Sequence, residues 1–214
     1  MASAALPFER HHMVRADPSA WTGMLASRRD LADEPLLIGW AERRWPLIVR
    51  RPVCKYDLRA VPLGLALPPA SGRRRLELRF SREDLTDCAA PPRLAEAVGV
   101  APKAWRKSIA SLIALDAEVR CFGSLAWQHL TGLAYLTAAS DLDLLWRVAS
   151  TRAADALAAQ IAEIAERAHM RIDGEFITPG GLGVQWREWR SAARELVAKG
   201  HDGVRLLERA ELLQ

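Results

Sequence analysis

Cysteine is scarce in this 214-residue chain: Cys54, Cys88 and Cys121 stand far apart, and no Cys-x-x-Cys pair occurs. That spacing excludes a zinc-type ligand pattern and a disulfide framework, and three scattered thiols fit a reducing compartment. Long apolar runs are missing as well. No stretch approaches the roughly 20 apolar residues that a bilayer-spanning helix needs. Phe8, Glu9, Arg10, His11 and His12 break any apolar run near the start, so no secretory leader is expected. The expectation is a cytoplasmic protein with no membrane partner. There is no internal repeat and no low-complexity tract. Charge of one sign is not concentrated either: no basic stripe is interleaved with aromatics, which argues against nucleic acid as a partner.

What is present is enough apolar material for a sizeable core. Half of the residues are hydrophobic and 26% are charged, which excludes wholesale disorder and fits one domain or two small ones. Lys and Arg total 30 against 26 acidic residues, a net charge of +4. That mild basicity suits a polyanionic ligand or an acidic protein partner, and equally a solvated surface. Eight tryptophans are many for this length. They are expected in the core or under loops, where each indole N–H finds an acceptor.

Local patterns outline the elements. Asp17-Pro18 reads as a helix start. A second helix is expected from Asp33 through Trp40 to Arg44. Leu47 to Val49 and Val61 to Leu67 read as strands. Leu76, Leu78 and Phe80 alternate with Arg75, Glu77 and Arg79, the period of a half-buried strand. The turn Ala70-Ser71-Gly72 makes the last two runs a hairpin. Ala89-Ala90-Pro91-Pro92 cannot continue a helix and reads as linker. Helical stretches follow at Arg93 to Val98 and Lys103 to Leu115. Then come a strand at Glu118 to Phe122, helical character from Leu125 to Thr137, and a strand at Asp141 to Val148. Thr151 to His169 reads as an amphipathic helix with Leu157, Ile161, Ile164 and Ala168 on its stripe. Arg171 to Ile177, Val184 to Trp186 and Glu195 to Lys199 read as strands. The class is α+β: a mixed sheet with packed helices in residues 86–214, preceded by a smaller α+β domain in residues 1–85.

One constellation carries chemistry. Phe122-Gly123-Ser124 is followed, with sixteen residues between, by Asp141-Leu142-Asp143. Alternate side chains of a strand share a face, so Asp141 and Asp143 point together while Leu142 and Leu144 point into the core. Two such carboxylates repel unless a positive charge lies between them. A divalent cation, Mg²⁺ (or Mn²⁺), supplies it through hard oxygen ligands. Gly123-Ser124 sits at a strand-to-helix turn, where free N–H groups and the Ser124 hydroxyl can cradle phosphate. Asp173 on a later strand completes the site if that strand neighbours the first, as a base for an incoming hydroxyl or as a ligand to a second metal. Glu175 shares its face and is the fallback. Against this stands the ordinary reading of a lone Asp-x-Asp, a solvent-facing pair.

Several positions carry two readings. His11 and His12 fit structural or exposed roles better than substrate contact. Arg50 and Arg51 either meet an anionic partner or solvate a strand end. Arg73-Arg74-Arg75 is a basic run that attracts an acidic partner or merely decorates a turn. Trp127 fits the core better than a base-stacking role, and His129 and His169 lack metal partners.

The pattern resembles a known family. Gly123-Ser124 with Asp141-Leu142-Asp143 is similar to the Gly-Ser…Asp-x-Asp signature of the nucleotidyltransferase superfamily. Within it the chain resembles the phosphoribosyl-dephospho-CoA transferases of malonate decarboxylase systems, the holo-acyl-carrier-protein synthases. The resemblance rests on Arg10-His11-His12, Pro46 to Arg51 and Val61 to Leu65. It continues through Gly123 to Gln128, Thr131-Gly132-Leu133-Ala134-Tyr135 and Ser140 to Leu145. Arg171 to Glu175, Trp186, Glu188 and Val197 to Lys199 complete it. It implies that a carrier-protein serine attacks the α-phosphorus of triphosphoribosyl-dephospho-CoA and that pyrophosphate leaves. The malonate decarboxylase acyl carrier protein is then the partner. Asp141 and Asp143 are implied as metal ligands, Gly123 and Ser124 as the triphosphate cradle, and Lys199 as a phosphate-binding cation. Asp173 as base follows from position and the superfamily pattern. Residues 1–85 are expected to clamp the donor or to dock the carrier. The competing readings are another metal-dependent nucleotidyltransferase, one that adenylylates a protein or small molecule, and a non-catalytic carrier-binding module. Ala198 departs from the larger apolar residue expected beside Lys199, and the sixteen-residue spacing calls for a longer first helix.

Overall fold

Residues 8–31, 34–51, 60–200 and 203–213 are described by the computed structural model. The chain divides into two units, Met1–Ala90 and Pro91–Gln214, each with its own sheet. The division falls inside the Ala89-Ala90-Pro91-Pro92 stretch.

The first unit contains β1 (Met13–Ala16), α1 (Pro18–Ser27), β2 (Leu47–Val49), β3 (Ala60–Ala66), β4 (Arg75–Ser81) and β5 (Leu85–Ala89). The strands form one antiparallel sheet in the order β4-β3-β2-β1-β5. Asp17 caps α1 as the sequence indicates. Its Oδ1 accepts from Ser19 N at 2.8 Å and Ala20 N at 3.2 Å. Together with the Ser19 hydroxyl, the largest influence, these bonds hold the Asp17 carboxyl below the usual range. The β3–β4 hairpin is present, and Leu76, Leu78 and Phe80 are buried while Arg75, Glu77 and Arg79 face out. Trp21 stacks between Phe80 and Trp40, with ring centroids 6.1 and 6.5 Å away.

The helix expected up to Arg44 is not there. A single 3-10 turn, Pro35–Leu37, is followed by a left-handed Gly39 and further turns. Proline fixes the start, but the glycine conformation stops propagation. Asp33, its expected first residue, and Cys54 lie outside the described residues. Strands β1 and β5 pair with each other and have no marked period-two pattern, so the sequence does not announce them.

The second unit runs through α2 (Leu94–Ala97), α3 (Arg106–Leu115), β6 (Arg120–Phe122), α4 (Gly123–Thr131), β7 (Leu142–Arg147), α5 (Thr151–Ala165), β8 (Ile172–Ile177), β9 (Gly183–Gln185), α6 (Trp186–Trp189), β10 (Glu195–Gly200) and β11 (Gly203–Glu208). Its mixed sheet has the order β11-β10-β9-β8-β7-β6. Only β7 and β8 run parallel, joined by α5 as the crossover helix; the other pairs are antiparallel.

Four expectations need correction here. α4 stops at Thr131 because Gly132 takes a left-handed C-terminal position, so a loop rather than a longer helix spans 132–140. Gln128 pins that loop, its Oε1 accepting from Tyr135 N and Leu136 N. Trp186 begins a short helix instead of ending a strand, capped by Gln185. α5 ends at Ala165, and its buried stripe is Ala154, Ala158, Ile161 and Ala162, flanked by half-buried Leu157 and Ile164. Alanines on that stripe let α5 approach α3 closely.

Seven of the eight Trp side chains are buried. Trp21, Trp40, Trp186 and Trp189 donate their indole N–H to Leu37 O, Pro46 O, Ile172 O and Asp155 Oδ1. Among the described residues Trp146 Nε1 is the buried side-chain donor without a partner. Cys121 is fully buried, and that burial pushes its thiol pKa up to about 12. Among the described residues no helix is long and apolar enough to cross a membrane.

Candidate active site

The pleat of β7 sorts its residues. Leu142, Leu144 and Trp146 are fully buried, and Asp141, Asp143 and Leu145 are half-buried on the other side. Beside it, β8 lies in parallel register with Asp143 level with Asp173 and Leu145 level with Glu175. The ladder continues with Glu175 opposite Gln185 on β9 and Lys199 of β10 opposite Gly183. Paired residues share a face. One face of the second sheet therefore gathers Asp143, Asp173, Glu175, Gln185 and Lys199.

Asp143 sits where β6 ends, since Phe122 is its partner across the β6–β7 ladder. The next residue, Gly123, takes φ +62° and turns the chain into α4. A Cβ at Gly123 would lie 2.0 Å from Asp143 Oδ2. The glycine is thus required twice, for its backbone angle and for the space that its missing side chain leaves to the carboxylate. Phe122 provides no side-chain cap to α4. Its first-turn N–H groups, with Ser124 half-buried among them, form the positive end of the helix beside Asp143.

Asp173 is held in place by three groups. Its Oδ1 accepts from Gln185 Nε2 at 2.7 Å and from Gly174 N at 2.9 Å. Its Oδ2 lies 3.3 Å from Arg171 Nη2, while Arg171 Nη1 lies 3.9 Å from Asp141 Oδ2. The guanidinium of Arg171 thereby stands between two of the three aspartates. The Gln185 amide has a fixed orientation: its Oε1 caps α6 by accepting from Arg187 N at 2.5 Å and Glu188 N at 2.9 Å, so its N–H side faces Asp173. Sequence reasoning assigned no role to Gln185 or Arg171. Gln185 has a weak signal, a polar residue in an apolar strand. Arg171 stands two positions before Asp173 and so falls on its side of the strand.

Lys199 was expected at phosphate. Its Nζ lies 3.0 Å from Oε1 of Glu175, which is 5% exposed. The lysine is the counter-charge of a buried carboxylate, and Ala198 beside it is fully buried on the opposite, apolar face. Lys199→Met is expected to destabilise the second unit by about 2–4 kcal/mol, because it removes the cation beside a buried carboxylate. Adding Glu175→Gln should restore most of the loss, as read by thermal melts of both variants. A Lys199→Met protein that melts normally but needs far more donor would return the lysine to phosphate.

Among the described residues no three His, Cys, Asp or Glu side chains converge into a complete metal cage. Mg²⁺ needs none: it binds through one or two carboxylates and completes its shell with phosphate and water oxygens. Half-buried Asp143 with Asp141 two residues away fits that mode. His11 and His12 belong to the first unit. His11 N donates to Val49 O, and His12 lies between Glu9 Oε2 at 3.4 Å and Cys88 Sγ at 3.6 Å. Trp127 is buried and stacks on Tyr135 at 5.9 Å.

Comparison with known proteins covers almost the whole chain. Residues 93–210 match the family described as phosphoribosyl-dephospho-CoA transferase MdcG C-terminal domain, and residues 9–91 match its N-terminal domain. The chain is 39% identical to a phosphoribosyl-dephospho-CoA transferase of Bradyrhizobium diazoefficiens over 97% of this chain and 93% of that one. It is 34% identical to one of Xanthomonas campestris pv. campestris, covering 84% and 86% of the two chains. A Pseudomonas putida relative of the same name is 32% identical over 76% and 78%. No solved structure matches.

Proposed function

Because the chain belongs to the phosphoribosyl-dephospho-CoA transferase family, it is a transferase, and we propose that it moves phosphoribosyl-dephospho-CoA from triphosphoribosyl-dephospho-CoA to a serine of the malonate decarboxylase acyl carrier protein, releasing pyrophosphate. The observation that supports this reading most is the level placement of Asp143 and Asp173 on one sheet face, beside the N-terminus of α4.

In this reading the first-turn N–H groups of α4 and the Ser124 hydroxyl hold triphosphate oxygens, with Gly123 allowing their close approach. Asp141 and Asp143 hold Mg²⁺ (or Mn²⁺), which supplies charge neutralisation on the triphosphate. Asp173 takes the proton from the attacking serine. Its Oδ1 accepts from Gln185 and Gly174, whereas Oδ2 has the longer contact with Arg171 at 3.3 Å, so Oδ2 is the receiving atom. The serine oxygen forms a bond to the α-phosphorus while the bond from that phosphorus to the α,β-bridging oxygen breaks. The electron pair leaves with pyrophosphate, and the carrier keeps a phosphodiester.

The test is the intact mass of apo acyl carrier protein after incubation with this protein, Mg²⁺ and triphosphoribosyl-dephospho-CoA. A gain equal to phosphoribosyl-dephospho-CoA, abolished by EDTA, is expected. No gain with a competent carrier and donor, together with an adenylyl adduct when ATP is supplied, would replace this reading with adenylylation.

A further inference from the structure

Arg171 takes no step in the proposed reaction, yet it stands between two of the carboxylates that the reaction uses. Its backbone is fixed: the carbonyl accepts from Leu142 N at 2.9 Å, which ties the residue to the start of β7 just before β8 begins. Its head is held loosely. Nη2 lies 3.3 Å from Asp173 Oδ2 and Nη1 lies 3.9 Å from Asp141 Oδ2, and the side chain is 58% exposed. Both distances exceed the roughly 2.7–2.9 Å of a close charge-assisted hydrogen bond. Other arginines of the chain do close on their acids. Arg28 forks onto Asp30 at 2.8 and 2.7 Å, and Arg194 Nη2 reaches Glu208 Oε1 at 2.8 Å. Arg171 divides one guanidinium between two carboxylates and closes on neither.

Asp173 keeps its orientation without this contact, since Gln185 Nε2 and Gly174 N hold its Oδ1 at 2.7 and 2.9 Å. Exposed ion pairs at such distances are weak, so a polyanion can draw the guanidinium away at little cost. A guanidinium also matches two phosphate oxygens at once, which the divided arrangement does not allow it to do with either carboxylate. The atoms that Arg171 stands beside are those that the reaction needs. Asp141 is assigned to the metal, and Asp173 Oδ2 to the proton of the attacking serine. A fixed positive charge beside Asp141 opposes a dication there, and the same guanidinium covers the oxygen that must accept.

We propose that Arg171 is a donor-binding residue that exchanges partners: it leaves Asp141 and Asp173 for the triphosphate of the donor, and so releases both carboxylates for their roles. This rests on the function proposed above and adds an order of events to it. The donor opens the site, and a free metal ion meets a competing cation until the donor arrives.

Mn²⁺ binding to the full chain, followed by the electron paramagnetic resonance of the free ion, tests this apart from activity. Arg171→Met should bind Mn²⁺ about fivefold more tightly than the parent, because the competing charge is gone. The same variant should raise the KM for triphosphoribosyl-dephospho-CoA about fivefold or more at saturating Mg²⁺, because a phosphate contact is lost. Arg171→Lys keeps the charge without the forked head, so it should return Mn²⁺ binding to the parent level and leave the KM raised. Arg106→Met removes a charge from an exposed position on α3 and should change neither value. An Mn²⁺ affinity of Arg171→Met equal to or below that of the parent overturns the proposal, since an arginine that only supports the carboxylates gives that result. An unchanged KM overturns it as well. If Asp143→Asn leaves Mn²⁺ binding intact in both the parent and Arg171→Met, the metal is not held at these aspartates, and the proposed function of the site falls together with the inference.

Discussion

Asp143→Asn should lower transfer to the carrier about a thousandfold or more, with a thermal midpoint within about 2 °C of the parent. Asparagine has nearly the shape of the carboxylate it replaces, so the fit against Gly123 survives. What goes is the negative charge beside the α4 N-terminus, and with it the carboxylate proposed to hold Mg²⁺. Intact-mass time courses of the carrier measure the rate directly. Gly123→Ala should give a comparable loss by the opposite route: the charge stays, but a Cβ falls on Asp143 Oδ2 and the backbone is strained at φ +62°. If Asp143→Asn retained a tenth of the parent rate, Asp143 would have no place in the reaction.

The largest expected stability loss lies one strand away. Gly174 on β8 has φ +147°, and a Cβ there would stand 2.2 Å from Leu144 O and 2.9 Å from Trp146 Cζ3. One obstacle is backbone of the neighbouring strand and the other a fully buried indole, so neither yields easily. Gly174→Ala is expected to cost about 3 kcal/mol or more, and to lower the melting midpoint of the second unit by roughly 10 °C. Differential scanning calorimetry measures it. A drop of a degree or two would show that the two strands separate more readily than the geometry implies. Because Gly174 lies between Asp173 and Glu175, surviving protein should also lose transfer activity.

Much of this arrangement is legible in the sequence, and the reason is periodicity. Asp141-Leu142-Asp143-Leu144 alternates strictly, so its strand and its two faces follow from residue types alone. The Leu76-Leu78-Phe80 alternation gives β4 in the same way, and Asp17-Pro18 gives the start of α1. The strand–helix–strand order leaves the adjacency of β7 and β8 as a condition, which their parallel ladder meets. Other features depend on contacts that no local pattern carries. β1 is a strand because it pairs with both β2 and β5, and β5 because it pairs with β1 across some seventy residues. The loop after α4 is set by Gln128, and the Lys199–Glu175 pair by the register of three strands. Gln185 is invisible as a support for Asp173 because its role depends on both ends of one amide: the oxygen committed to α6, the nitrogen turned to the carboxylate.

The parallel pairing of β7 and β8 has a consequence for how the chain can change in length. Asp143 and Asp173 are level because both strands count residues from a fixed start, and α5 only has to return the chain to that start. Insertions or deletions in the loop 132–140 or after α5 alter the path but not the count. A single residue gained inside β7 before Asp143 inverts the alternation beyond it. It carries that carboxylate to the side of Trp146 and brings a leucine to the polar face. Length variation that the connections absorb is therefore forbidden to the two ladders they join.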